Sequence, residues 1–212
     1  MLKVGLTGGL ASGKTFVGRV LESLGCLVIE ADKLGHEVLE PGAEAYASTI
    51  EEFGRGILNP DGTIDRTKLG DLVFGAPERL EKLNALVHPP VRARSVAIEH
   101  DFHMIHPRGI TVHEAAILIE TGSYRKFDRM IVAACTREQQ IARAMERDGA
   151  TLENVLARLA RQMPLVDKLK FADFVIDTSK TKEHAREETV AVFHELEKLA
   201  AQPELPSRNP PR

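Results

Sequence analysis

A glycine-rich octapeptide near the start of the chain, Gly8-Gly9-Leu10-Ala11-Ser12-Gly13-Lys14-Thr15, matches the pattern G-x-x-x-x-G-K-[ST]. The apolar residues 2–7 before it predict a buried strand, and residues 13–24 after it predict an amphipathic helix that ends at Gly25. Glycines let such a loop turn its N–H groups inward, and the start of the helix adds its positive dipole end. The segment therefore predicts a site for nucleotide phosphates.

Two residues of this predicted phosphate site have distinct chemistry. Lys14 is expected to reach the β- and γ-phosphates, and the Thr15 hydroxyl is expected to ligate Mg²⁺. The other residues that we expect to contact the nucleotide through this loop are Gly8, Gly9, Ala11, Ser12, Gly13 and Phe16. A nucleoside triphosphate with Mg²⁺ is the expected ligand.

Five nearly continuous apolar segments predict strands, at residues 2–7, 26–31, 110–117, 129–135 and 174–177. Unbroken apolar runs are typical of parallel strands that are covered on both faces. Further helices are expected at residues 137–147, at 152–163 after an N-cap at Thr151, and at 182–201. This order predicts a doubly wound α/β fold, a P-loop NTPase core around a five-stranded parallel sheet.

The segment between the second and third predicted strands is long enough to form a subdomain. It reads as largely helical, with turns expected at Pro41-Gly42, at residues 59–62 and at His88-Pro89-Pro90. The proline-rich tail, residues 202–212, is predicted to be disordered. We therefore expect a nucleotide-binding core of residues 1–32, 110–137 and 172–201, a helical acceptor-binding insert of residues 33–109, and an arginine-rich lid of residues 138–171.

Composition and charge limit the partners of the protein. The net charge is −3 and the pI is about 6.3, so no basic excess indicates binding to nucleic acid or anionic lipid. Cys26 and Cys135 each lie in an apolar run, which predicts buried free thiols in a reducing compartment. Without an apolar run of membrane-spanning length or a signal-peptide pattern, we expect a cytoplasmic protein. The oligomeric state is not readable, and we favour a monomer.

A carboxylate follows the second predicted strand. The sequence has no guanine-reading N-K-x-D segment, which argues against a GTPase. In open parallel sheets ligands bind beyond the carboxyl ends of the strands, where Asp32 could accept a proton from an attacking hydroxyl. Glu30 alternates with Asp32 across Ala31, so both side chains are expected to point to the same side of the strand. We leave the role of Glu30 open.

Arginines are concentrated in the predicted lid. Arg143 and Arg147 are four residues apart, and Arg158 and Arg161 are three apart, so each pair is expected to share a helix face. Guanidinium groups suit triphosphate oxygens and the charge that develops in phosphoryl transfer. We expect Arg143, Arg147 and Arg158 to bind the nucleotide, and Arg147 to act in catalysis beside Lys14 and Asp32. Glu114 could hold a Mg²⁺-bound water or pair with Lys14.

The chain resembles the dephospho-coenzyme A kinase family over about residues 2–178. The resemblance rests on separate segments in matching order: Val4-Gly5-Leu6-Thr7-Gly8-Gly9 with the glycine-rich loop, Val28-Ile29-Glu30-Ala31-Asp32 with His36-Glu37-Val38, His88-Pro89 with Val91-Arg92, Arg143, Met145-Glu146-Arg147-Asp148-Gly149, Ala157-Arg158, Gln162-Met163-Pro164, Lys168 and Ala172-Asp173-Phe174-Val175-Ile176-Asp177. Taken singly, none of these segments is decisive except the glycine-rich loop. Their order and spacing together are specific to the family.

This resemblance implies ATP-dependent phosphorylation of the ribose 3′-hydroxyl of dephospho-CoA, the last step of coenzyme A synthesis. It implies that Asp32 is the catalytic carboxylate and contacts the acceptor, and that His88 and Arg92 position the acceptor. The sequence also departs from the family pattern, at Ala11, Phe16, Glu30, residues 116–120 and Thr178-Ser179. A methyl group at Ala11 enters a loop that favours permissive dihedral angles, and Thr178-Ser179 replaces the usual Asn-Gly.

Two alternatives remain open at this point. A P-loop kinase of the shikimate or gluconate type could also use an acid after the second strand, although an insert of about 75 residues fits a nucleotide-sized acceptor better. A non-catalytic ATP-binding regulator could have kept the phosphate site. Retention of Asp32 together with the lid arginines argues against the regulator.

Overall fold

The computed structural model describes residues 1–73 and 75–202. The predicted disordered tail lies outside the described residues, apart from Gln202. Five parallel strands form one sheet: β1 (Leu2–Gly8), β2 (Leu27–Glu30), β3 (Ile110–Glu114), β4 (Arg129–Ala134) and β5 (Phe174–Asp177). Their order is β2-β3-β1-β4-β5, so the strand that precedes the glycine-rich loop is central. The predicted α/β fold with a five-stranded parallel sheet is confirmed.

The helices are α1 (Lys14–Ser23), α2 (Ala31–Glu37), α3 (Tyr46–Phe53), α4 (Arg66–Val73), α5 (Pro77–Ile105), α6 (Arg137–Asp148), α7 (Leu152–Ala160), α8 (Leu165–Lys168) and α9 (Lys182–Ala200). Among these described segments, none combines the length and apolarity needed to cross a membrane. The chain divides into two compact units, Met1–Glu30 with the chain from Asp101 onward, and Ala31–His100. Residues 138–171 belong to the first unit, and their assignment as a lid stays a prediction.

Local capping fixes the helices after β4. The Thr136 side chain and Gln139 form a reciprocal capping box at the start of α6, and Gly149 ends that helix in a left-handed conformation. Thr151 caps α7 as predicted, by accepting the Asn154 N–H. The prediction that α7 reaches residue 163 is wrong. A proline ring collides with the carbonyl four residues before it, and Pro164 follows the last helical residue, 160, by four positions.

The turn predicted at His88-Pro89-Pro90 is also wrong, because α5 runs through both prolines. Each proline removes one helical N–H donor, which weakens a helix without necessarily ending it. Contacts on both sides hold the helix together: Leu83 packs against a buried apolar cluster, and Arg94 forms ion pairs with two carboxylates. The other predicted turns are confirmed, at Pro41-Gly42 and at residues 59–62.

Each unit has its own apolar cluster. In the first, side chains from β1, β3, β4 and β5 pack against α1 and α9, and the fully buried members include Leu2, Leu6, Leu21 and Leu196. In the second, the buried members are Ile57, Ile64, Leu69 and Val73. The central cluster places β1 rigidly beneath the glycine-rich loop, which matters for the phosphate site.

Both cysteines are free thiols, but they differ in burial. Cys26 lies in the core, where burial raises its pKa to about 12. The expectation of burial is wrong for Cys135, which is partly exposed because it follows the last residue of β4. Partial burial still raises the Cys135 pKa, against the opposing effect of the nearby Arg143.

Candidate active site

The glycine-rich loop connects β1 to α1, as the motif requires. Gly13 has φ 86° and Ala11 has φ 51°, both left-handed. This conformation costs an L-residue about 1–2 kcal/mol, so Ala11 does occupy a position that favours glycine. Its methyl group packs against Leu10, Ala144 and Val155, which hold α6 and α7 against the loop. These contacts bury part of the Ala11 methyl group and offset the cost of its left-handed conformation.

Close packing surrounds the first two glycines of the loop. A Cβ at Gly8 would lie 2.6 Å from the Ala133 carbonyl oxygen, and one at Gly9 would overlap the Gln140 amide. Gln140 is buried and donates from Nε2 to the Leu10 carbonyl at 3.0 Å. The loop is therefore fixed by β4 on one side and by α6 on the other.

Lys14 and Thr15 begin α1 at the end of the loop. The Lys14 ammonium donates to the Gly9 carbonyl at 3.3 Å, so it lies across the loop. The Thr15 hydroxyl donates to Glu114 Oε1 at 2.9 Å. Glu114 is buried at the end of β3, and the contact with Thr15 was not among its expected roles. The structure thus places a hydroxyl and a carboxylate together at the start of α1.

Thr178 connects the loop to the end of β5. Its buried hydroxyl lies 2.7 Å from the Ser12 carbonyl and 3.0 Å from that of Ala134, and its own carbonyl accepts from Arg143 Nη2 at 2.7 Å. Sequence reasoning treated Thr178 only as a departure from the family pattern. The structure shows that it holds the loop and one of the predicted lid arginines.

We expect Thr178→Val to lower the Tm by about 2–10 °C, because the buried Ser12 carbonyl loses its hydroxyl donor. Differential scanning calorimetry measures this change. The matched control is Thr189→Val, another buried threonine, whose hydroxyl bonds a carbonyl within its own helix, that of Ala185. In Thr189→Val the Ala185 carbonyl keeps its helical N–H donor, so this variant should lower the Tm less than Thr178→Val does. Equal losses for both variants would contradict the prediction.

The predicted lid arginines separate into two arrangements. Arg147 donates from Nε and Nη2 to the Asp148 carboxylate at 2.7 and 3.0 Å, and Arg158 Nη1 donates to it at 2.5 Å. Hydrogen bonds from Arg147 first, and then from Arg158, hold the Asp148 pKa well below its usual range. Arg143 and Arg147 lie four residues apart on α6, as expected, but they have different partners. Arg147 shares Asp148 with Arg158 of α7, while Arg143 donates to the Thr178 carbonyl just after β5.

Asp32 lies in the second unit, in the first turn of α2, and is exposed. The strand that precedes it ends at Glu30, so the alternation argument that placed Glu30 and Asp32 on one side of a strand is wrong. Alternation holds only while the backbone is extended, and Ala31 already begins the helix. Asp32 nevertheless follows the carboxyl end of a parallel strand closely, as expected.

The two predicted acceptor-binding residues lie on α5 of the same unit. His88 and Arg92 are exposed and four residues apart, so they share a helix face. Arg94 binds both carboxylate oxygens of Glu44, at 2.9 and 2.7 Å, and Glu37 of α2 at 3.4 Å. The pair with Glu37 joins α5 to α2, the helix whose first turn contains Asp32, and the pair with Glu44 joins α5 to the segment between α2 and α3.

Comparisons with known proteins identify one family along most of the chain. A family model described as dephospho-CoA kinase matches residues 2–183. The chain is 39% identical to the dephospho-CoA kinase of Geobacillus kaustophilus over 198 residues, which cover 93% of this chain and 98% of that one.

Two solved structures are similar over most of their length. The crystal structure of TT1252 from Thermus thermophilus matches with a TM-score of 0.78 and 31% identity, covering 92% of this chain and 97% of the other. The dephospho-CoA kinase from Campylobacter jejuni matches with a TM-score of 0.66 and 30% identity, with the same coverage of 92% and 97%.

Proposed function

Because the chain belongs to the dephospho-CoA kinase family, it transfers phosphate from ATP to dephospho-CoA, and we propose which of its residues perform this reaction. The acceptor is the ribose 3′-hydroxyl, and the product is coenzyme A. One observation carries the residue assignment, namely the arrangement of the glycine-rich loop. Lys14 lies across this loop, and the Thr15 hydroxyl forms a hydrogen bond to Glu114.

ATP binds through this loop in our proposal. Backbone N–H groups of residues 8–16 surround the β- and γ-phosphates, and the dipole of α1 favours their charge. On ATP binding, Lys14 exchanges its contact with the Gly9 carbonyl for phosphate oxygens. The support is the fixed shape of the loop, which Gln140 and Thr178 hold from two sides.

We assign the metal site to Thr15, with Glu114 as its partner. Mg²⁺ prefers oxygen ligands, and the Thr15 hydroxyl and Glu114 carboxylate are 2.9 Å apart. These residues therefore fit the cation that phosphoryl transfer uses. When bound, Mg²⁺ neutralises charge on the phosphates. The Thr15 hydroxyl oxygen would ligate the ion while its proton stays with Glu114, and Glu114 would ligate the ion directly or hold one of its waters.

The transfer itself joins the acceptor oxygen to the γ-phosphorus and breaks the bond from that phosphorus to the oxygen bridging the β-phosphate. Asp32 accepts the proton of the 3′-hydroxyl, and Lys14 and Arg147 offset the charge that develops on the transferred group. Arg143 and Arg158 bind the nucleotide. The exposure of Asp32 and its place beside the end of a parallel strand support this role.

His88 and Arg92 position the acceptor from one face of α5. A guanidinium suits the pyrophosphate of dephospho-CoA, and both side chains are exposed and available to it. The insert of residues 33–109 thus serves as the acceptor-binding part, residues 138–171 as a lid, and the remainder as the nucleotide-binding core. Free thiols at Cys26 and Cys135 are compatible with the proposed cytoplasmic location. We retain a monomer as the working assembly.

The deciding experiment is ADP release by the purified protein with Mg-ATP, with and without dephospho-CoA. We expect release to depend on dephospho-CoA and to be absent with shikimate or gluconate. Lys14→Ala supplies the background rate. Release driven only by another acceptor would overturn the substrate, and ATP binding without release for any acceptor would favour the regulator.

A further inference from the structure

Lys168, the last residue of α8, is fully buried, with 0% of its side chain exposed. A buried ammonium is strongly unfavourable unless acceptors replace its water. Nothing in our assignment of ATP, Mg²⁺ and acceptor contacts uses this charge. Its burial inside the nucleotide-binding unit therefore needs another explanation.

Three oxygen atoms surround the Lys168 ammonium. It lies 2.9 Å from Glu120 Oε1, 2.5 Å from the Ala116 carbonyl oxygen and 3.4 Å from the Gly8 carbonyl oxygen. An ammonium has three N–H donors, so these acceptors match its full capacity. The Ala116 carbonyl also accepts from the Thr7 hydroxyl at 3.2 Å. All three N–H donors of Lys168 thus have acceptors, and these hydrogen bonds connect β1 to the segment after β3.

The same junction extends to the base of the predicted lid. Glu120 Oε1 accepts the backbone N–H of Met163 at 3.0 Å, and Met163 lies in the connection between α7 and α8. The ion pair between Lys168 and Glu120 therefore connects Gly8, the first glycine of the phosphate loop, to the segment between α7 and α8. Gln140 and Val155 contact the loop further along, at Leu10 and Ala11, whereas Lys168 contacts its first glycine.

The contact with Gly8 also bears on the orientation of the loop. In a trans peptide the C=O and N–H groups point in opposite directions, so holding the Gly8 carbonyl toward Lys168 directs the Gly9 N–H away from it. We propose that Lys168, with Glu120, is a positioning residue for ATP: the pair fixes the first peptide of the phosphate loop and the base of the lid. This inference rests on the proposed nucleotide site.

The test is calorimetric titration of ATP with Mg²⁺ into Lys168→Met, which keeps the side-chain length and removes the charge. We expect the Kd for ATP to rise about tenfold or more, and Glu120→Gln, which keeps an acceptor, to raise it about threefold. In turnover assays the KM for ATP should rise more than the KM for dephospho-CoA, because the defect is in the nucleotide site.

A matched control separates positioning from general destabilisation. Leu196→Ala removes a fully buried side chain of α9, which no proposed contact with ATP uses. All variants are titrated at a temperature where circular dichroism shows them folded. An ATP Kd that rises in Lys168→Met but not in Leu196→Ala supports the proposal. Equal effects in both, or an unchanged Kd in Lys168→Met, overturn it.

If Lys168→Met does not fold, the test rests on Glu120→Gln. A wild-type Kd for ATP in Glu120→Gln would then refute the positioning role of Lys168 and Glu120. ATP titration needs no acceptor. Failure of this inference is therefore distinct from failure of the proposed reaction, which the dephospho-CoA dependence of wild-type ADP release tests separately.

Discussion

Asp32→Asn is expected to lower kcat for dephospho-CoA phosphorylation by about 10²–10⁴-fold, the usual range for loss of a general base. The amide keeps the shape of the side chain but does not take up the proton of the 3′-hydroxyl. ATP binding should stay within about twofold of the wild-type value, because the nucleotide contacts are assigned to other residues. Single-turnover kinetics with a separate calorimetric titration of ATP measure the two effects independently.

The control for this variant is Asp71→Asn, which changes an exposed acid of the same compact unit. Asp71 lies on α4 and has no assigned role, so its kcat should match the wild-type value. Wild-type kcat in Asp32→Asn would remove Asp32 from the mechanism. A weakened ATP affinity with unchanged kcat would assign it to nucleotide binding instead.

Lys14→Met should reduce kcat/KM for ATP by about 10²–10³-fold or more, the loss expected when a donor to the developing charge is removed. Methionine keeps most of the side-chain length and removes the ammonium, which donates to the Gly9 carbonyl at 3.3 Å. Steady-state kinetics with varied ATP and saturating dephospho-CoA provide the measurement.

Lys182→Met is the matched control, because Lys182 is an exposed lysine at the start of α9. Lys182→Met removes one positive charge from the same compact unit as Lys14→Met does, but it leaves the phosphate loop unchanged. If both variants kept wild-type kcat/KM, Lys14 would have no part in the reaction. If both lost activity equally, net charge rather than the Lys14 contact would be responsible.

Local patterns in the sequence were sufficient for the sheet and the phosphate loop. Unbroken apolar runs identified all five strands, and β5 was bounded correctly at both ends. The loop motif depends on a few consecutive residues whose backbone preferences act locally, so Gly13 and Lys14 lie where the pattern predicts them. The N-cap at Thr151 is local for the same reason, since its hydrogen bond spans three residues.

Local patterns failed where a distant contact outweighed them. Pro89 and Pro90 predicted a turn, yet packing of Leu83 and the ion pairs of Arg94 keep α5 helical on both sides of the prolines. Spacing placed Arg143 and Arg147 on one helix, as the structure has them, but it gave no indication that Asp148 binds Arg147 and Arg158 from two different helices.

The sequence alone determined the fold class and the phosphate loop, because hydrophobic periodicity and glycine-dependent backbone geometry are properties of short segments. The family followed from the resemblance of several motifs in matching order. Only the tertiary structure decided what surrounds the loop. Thr178, 166 positions from Ser12, and Lys168, 160 positions from Gly8, have no local signal in the sequence. A buried charge or hydroxyl is recognised only through its partners, and those partners meet only when the chain has folded.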